Sequence, residues 1–215
     1  PRPTTVSGTK TYDGTTNVAS SNLTSFSNLA GSDTLSISGT GTISSADVGT
    51  GKSVNTSGIT IDNSSGVGSN YTLSAATVNV TERVIGLSGV RAFDGTNNAS
   101  SADLSISNLV SGENLTLSGS GTVPNATVEM NKAITLGSLS ISDGSGGKSS
   151  NYKLTGGSHT LDISQLSVNV TGSRQYDGTK TVNSSDLILT NLVSGETVSL
   201  TGAGTVADEN VGANK

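Results

Sequence analysis

The sequence predicts an all-β protein made of tandem, small antiparallel β-sandwich-like modules of about 80 residues, arranged head to tail as a rod. Three observations carry this reading. The tetrapeptide Tyr12-Asp13-Gly14-Thr15 returns as Phe93-Asp94-Gly95-Thr96 and again as Tyr176-Asp177-Gly178-Thr179, 81 and 83 residues apart. Aliphatic residues alternate with Ser or Thr, as in Leu35 and Ile37, Leu115 and Leu117, or Val198 and Leu200, which is the period of a half-buried strand. Turn signals recur about every ten residues and no stretch shows helical periodicity, the pattern of a β-sandwich with roughly six or seven short strands. The repeat divides the chain into module one (1–82), module two (83–165) and an incomplete module three (166–215).

Each module opens on a strand, Val6 to Tyr12, Leu87 to Phe93 or Val170 to Tyr176, that ends in the Asp-Gly turn. Asp bonds its own backbone there and Gly accepts a positive φ. The aromatic is expected to face inward, as a core plug. A second strand follows, Leu104-Ser105-Ile106 or Leu187-Ile188-Leu189, with Phe26 and Leu29 in the matching places of module one. Turns at Gly31-Ser32-Asp33, Ser111-Gly112-Glu113 and Ser194-Gly195-Glu196 lead into the clearest alternation. The Gly-x-Gly-Thr segments beginning at Gly39, Gly119 and Gly202 come next. No helix follows them to hold a phosphate, so they read as bulges or turns. Lys52, Lys132 and Lys215 then appear in register. A strand pair leads to Asn70-Tyr71 or Asn151-Tyr152, and the module closes on Val78-Asn79-Val80 or Leu161-Asp162-Ile163. Only four residues, Thr81 to Val84, separate Val80 from the next alternating stretch, so modules are expected to abut. The repeat breaks off at Lys215 about halfway through module three, which leads us to expect a longer parent chain.

Composition narrows the function. Ser and Thr fill 68 of the 215 positions, aromatics are 3% and apolar residues 31%, so each module has a small core built from aliphatic alternation. There is no cysteine, hence no disulfide or thiolate metal site. A net charge of −5 with eleven Lys plus Arg argues against nucleic acid, whose binding grows with the phosphates neutralised. No run of apolar residues is long enough to span a membrane as a helix. The chain is expected to be neither membrane-embedded nor oligomeric.

The residues offer little chemistry: no catalytic, cofactor-binding or metal residue is assigned, and no enzyme activity is expected. His159 is the single histidine and has no counterpart in module one, so it reads as an exposed strand residue. Asp33, Glu113 and Glu196 recur singly and read as solvated turn acids. Asp62 to Gly66 and Asp143 to Gly147 space oxygen donors alternately, but each has one carboxylate, short of a calcium loop. An isopeptide crosslink through Lys52, Lys132 or Lys215 needs the lysine buried beside an amide and an acid; a lysine bonded to its neighbouring turn is the simpler reading. Ten Asn-x-Ser/Thr sites occur, among them Asn79, Asn125 and Asn169, slightly more than such a Ser/Thr-rich chain produces by chance.

Taken together, aromatic-Asp-Gly-Thr, Asn-Leu-x-Ser-Gly-Glu, Ser-Gly-x-Gly-Thr, Asp47 to Lys52 and Ser-Asn-Tyr-x-Leu resemble the YDG repeats, akin to MBG repeats, of large bacterial surface proteins. The resemblance spans essentially the whole chain. Such repeats occur in filamentous-haemagglutinin-like adhesins exported by two-partner secretion. It implies a stalk segment of an extracellular, cell-surface adhesin that projects a distal binding domain for attachment or biofilm formation. The alternative it leaves open is a ligand-binding module that recognises host or matrix glycan or protein through loops such as Gly144 to Ser150. Module two departs from the pattern at Phe93 and at Val128 to Asn131, which lacks the glycines found at 49 and 51; that loop's backbone is expected to differ between modules.

Overall fold

The computed structural model describes residues 1–215. Module one contains strands β1 (Arg2–Thr11), β2 (Asn17–Ala19), β3 (Leu23–Ser27), β4 (Leu35–Thr42), β5 (Gly49–Ser53), β6 (Ile59–Asn63) and β7 (Tyr71–Thr81). They form two sheets, ordered β3-β1-β7-β5 and β2-β4-β6. Alternation in the sequence becomes alternation of burial: Ala76, Val78 and Val80 of β7 are buried, whereas Asn79 and Thr81 are exposed. With Val6, Val18, Leu23, Ile43 and Val54 they form the core, and each buried aliphatic side chain contributes about 2 kcal/mol.

The pairings are antiparallel except one. β1 and β7 run parallel, from Arg2 beside Tyr71 to Thr11 beside Thr81, and the rest of the module is their crossover. This refines the antiparallel expectation and has a geometric consequence. The chain enters a module at one end of the central strand pair and leaves at the other, displaced by about 33 Å for ten residues of strand. Modules joined this way can only follow one another in line.

Module two repeats the plan. Strand Gly86–Ala92 pairs parallel with His159–Ser164, antiparallel with Leu104–Ser107, and Glu129–Ala133 completes the sheet. Its facing strands form two pairs, Asn98–Ser100 with Ser120–Thr122 and Leu115–Ser118 with Ser140–Asp143. In module three, Asn169–Gly172 pairs with Leu187–Thr190 and Thr181–Asn183 with Ala203–Thr205. These correspond to β1 through β4, and the apolar Val170, Ile188 and Val198 stay exposed. The whole chain exposes 12042 Å², against about 9,100 Å² for a compact monomer of its mass.

Two glycine positions explain motifs that recur in all modules. Gly8, Gly89 and Gly172 lie in the first strand against the three-residue 3-10 turns Ser20–Asn22, Ser101–Asp103 and Ser184–Asp186. A Cβ on any of them would overlap the carbonyl oxygen of Asn22, Asp103 or Asp186, so the backbones approach more closely than any side chain permits. Gly39, at φ +91, marks where β4 stops pairing with β6 and begins pairing with β2, the bulge expected there. The loop at Val128 to Asn131, by contrast, does not differ from its counterpart. Asn131 adopts φ +55 where Gly51 has +61, because Asn is the side chain best suited to the left-handed region. Both loops then close alike: Asn79 Oδ1 accepts from Gly51 N at 2.7 Å, and Asp162 Oδ1 from Asn131 N at 2.6 Å.

Candidate functional site: the joint between modules

Each aromatic-Asp-Gly-Thr turn is built on a cation two residues before the ring. Lys10 Nζ donates to Asp13 Oδ1 at 2.8 Å, Thr15 O at 3.0 Å and Asn17 O at 2.7 Å, with the lysine only 4% exposed. Arg91 fills the same cage, donating to Asp94 and to Thr96 O and Asn98 O, and Arg174 donates to Asp177 and Thr179 O. Within each turn the Asp also accepts from the Thr backbone and hydroxyl, as Asp13 does from Thr15 at 2.9 Å. Burial pushes the Asp13 carboxyl up, yet the bonds from Lys10 and Thr15 outweigh it and hold the group below the usual range. These cations recur in register two residues before each ring, a signal present in the sequence but divided between two residue types, Lys in module one and Arg in modules two and three.

The ring that the turn presents is not a plug of its own module. Tyr12 sits at the exit end of β1 and its hydroxyl donates to Glu113 of module two. Its ring packs edge-on against Tyr152, centroids 5.4 Å apart and planes at 79°. Tyr152 in turn donates to the other oxygen of Glu113 at 2.6 Å and accepts from Val110 N at 3.0 Å. A methyl added at Gly14 would meet Val110 Cγ1 at 2.7 Å. The inward-facing expectation holds, with Tyr12 5% exposed and part of the core cluster, but the cover comes from Glu113 and Tyr152 of the next module and not from the ring's own module.

A second contact locks the joint. Asp47 accepts from Lys148 Nζ at 2.6 Å and from Asn151 Nδ2 at 2.9 Å, and Asn151 Oδ1 accepts from Val48 N at 2.9 Å. Asn151, from the Ser-Asn-Tyr motif, is 1% exposed, whereas its counterpart Asn70 lies open on module one. Bonds from Lys148 and then Asn151 pull the Asp47 carboxyl down to about 2. At the second joint the turn-glycine contact recurs, since a methyl on Gly95 would meet Val193 Cγ1 at 2.8 Å, while Phe93 has no hydroxyl to donate across it. The two complete modules share one continuous core cluster, in which Ile85 of the connecting segment is fully buried.

The other sequence candidates fall into place around this joint. The recurring acids are not merely solvated: Glu113 takes two tyrosine hydroxyls, and Asp33 accepts from Tyr71 at 2.5 Å. Lys132 is buried and donates to Asn125 Oδ1, Thr127 Oγ1 and Glu129 Oε2 at 2.7, 3.2 and 2.7 Å. It caps its turn, as expected, but from inside the protein, while the Glu129 side chain stands 61% exposed. Lys52 donates to Ser45 O and Lys215 to Asp208. His159 is half-buried rather than exposed, with Nε2 bonded to Leu154 O at 2.9 Å and Nδ1 without a partner. Asp143 spends one carboxylate oxygen on Ser149 N and Oγ, both at 2.7 Å. No three His, Cys, Asp or Glu side chains converge.

The joint has an alkaline limit. Burial first, and then the bond to Glu113 and its charge, push the Tyr12 hydroxyl above its ordinary value; Tyr152 is raised by the same causes. A folded-state value above the unfolded one means that this stability is fully present below about pH 10 and lost as pH rises through the raised values. Thermal melting is expected to hold steady to about pH 9 and to fall steeply above pH 10. Tyr12→Phe with Tyr152→Phe should flatten that fall, leaving the smaller share due to Tyr71.

The fold and joint define the class: a tandem all-β repeat protein whose modules dock end to end through a repeated turn. The YDG domain family matches residues 1–79, 81–161 and 162–215, and the chain belongs to that family. No curated protein and no solved structure matches it significantly.

Proposed function

We propose that this chain is a stalk segment of a secreted bacterial cell-surface adhesin, holding a distal binding domain away from the cell and performing no chemistry of its own. The observation that carries the reading is the parallel β1–β7 pair, which puts entry and exit at opposite ends of each module. Tension along the chain pulls β1 one way and β7 the other. The ten paired positions then resist together in shear, and the joint passes the load to the next first strand. The competing reading, ligand recognition through loops such as Gly144 to Ser150, is disfavoured because that loop is engaged by the protein itself. Lys148 holds Asp47 and Ser149 holds Asp143.

The test is binding of the 215-residue chain to a glycan array and to a panel of matrix proteins. The stalk reading predicts no saturable binding. Saturable binding that substitutions in Gly144 to Ser150 abolish would establish the ligand-binding reading instead.

A further inference from the structure

The cage around Lys132 holds more than a cap needs. Its Nζ, on a lysine only 4% exposed, lies 2.7 Å from Asn125 Oδ1 and 2.7 Å from Glu129 Oε2. The same Asn125 oxygen also accepts from the Thr127 amide at 3.1 Å and from the Thr127 hydroxyl. An amine, a carboxamide and a carboxylate therefore meet at one point, and the carbonyl is held by two further donors. Module one lacks this arrangement. Ser45 and Gly49 stand where Asn125 and Glu129 stand, Lys52 donates to the Ser45 carbonyl, and Asp47 is committed to Lys148 and Asn151 across the joint. Module one closes the same turn with neither an amide nor an acid on its lysine, so capping does not account for Asn125 and Glu129.

We propose that Lys132 and Asn125 join in an intramolecular isopeptide bond, formed by the protein itself with Glu129 as the proton carrier. Lys132 Nζ passes one proton to Glu129 and attacks Asn125 Cγ. Negative charge then gathers on Oδ1, where the Thr127 amide and hydroxyl already donate. Nζ gives up a second proton, the Cγ–Nδ2 bond breaks, and Glu129 hands both protons in turn to the leaving nitrogen, which departs as ammonium. Nζ enters with three protons and keeps one as an amide, Glu129 returns to carboxylate, and charge is conserved with no oxidant or cofactor. The bond ties the Glu129–Ala133 strand of one sheet to the turn that brings the chain over from Ser120–Thr122, which pairs in the facing layer. It forms once per chain, without turnover or an outside substrate. The inference rests on these contacts and not on the stalk reading.

Mass spectrometry of the full chain, folded and then denatured, tests it. The unaltered chain should weigh one ammonia less than its sequence. Fragmentation should place the deficit on a peptide that carries both Asn125 and Lys132 and that trypsin leaves uncut after Lys132. Lys132→Arg and Glu129→Gln should each restore the full mass. The Glu129 side chain stands 61% exposed, so Glu129→Gln folds as the unaltered chain does, which circular dichroism checks. An unaltered chain at its full sequence mass overturns the proposal. So does a deficit that persists in Lys132→Arg, the mark of a succinimide at an asparagine instead. A deficit that persists in Glu129→Gln overturns the assignment of Glu129 as the proton carrier.

Discussion

Tyr12→Ala is expected to cost about 3 kcal/mol or more, as large-to-small changes at buried aromatics do, and to uncouple module one from module two. The substitution removes the edge-on partner of Tyr152 and leaves Glu113 with one hydroxyl instead of two. Unfolding by denaturant should change from one shared transition to two. The control is the repeat-equivalent Tyr176→Ala, which should stay within about 0.5 kcal/mol of the parent, because that ring is exposed.

Gly89→Ala should be at least as damaging, about 3 kcal/mol or more. The added methyl would overlap the Asp103 carbonyl oxygen and sit 3.1 Å from Leu104 Cδ2. Neither can yield, since Leu104 is buried and paired to Gly89 in the sheet. Module two then loses the register between its first and third strands. Gly204→Ala meets nothing and should leave thermal melting unchanged. Equal tolerance at the two glycines would show that the close approach in the first strand is not a constraint.

Much of this was legible in the sequence. Period-two alternation located the strands because each sheet has one buried face, and the aromatic-Asp-Gly-Thr interval located the modules. The parallel pairing of β1 with β7 was not legible, since alternation states which face is buried and not which strand lies alongside. Nor was the destination of the ring. Burial is a property of a residue together with whatever covers it, and Tyr12 is covered by Glu113 and Tyr152, some hundred or more positions away in the next module. One signal was available: aromatic, acid and Ser-Asn-Tyr recur in register, and acids recurring with tyrosines mark hydroxyl–carboxylate pairs. The loop at Val128 to Asn131 shows the converse, a change of sequence without a change of backbone, because Asn131 accepts the conformation that Gly51 has.

The central claim is that modules follow one another in line through docked joints, and small-angle X-ray scattering of dilute chain tests it most directly. The account predicts a rod with a maximum dimension of about 80 Å or more, from roughly 33 Å of strand per module. Its radius of gyration should lie well above the roughly 17 Å of a compact globule of this length. A radius of gyration near 17 Å, with the modules folded back on one another, would contradict it.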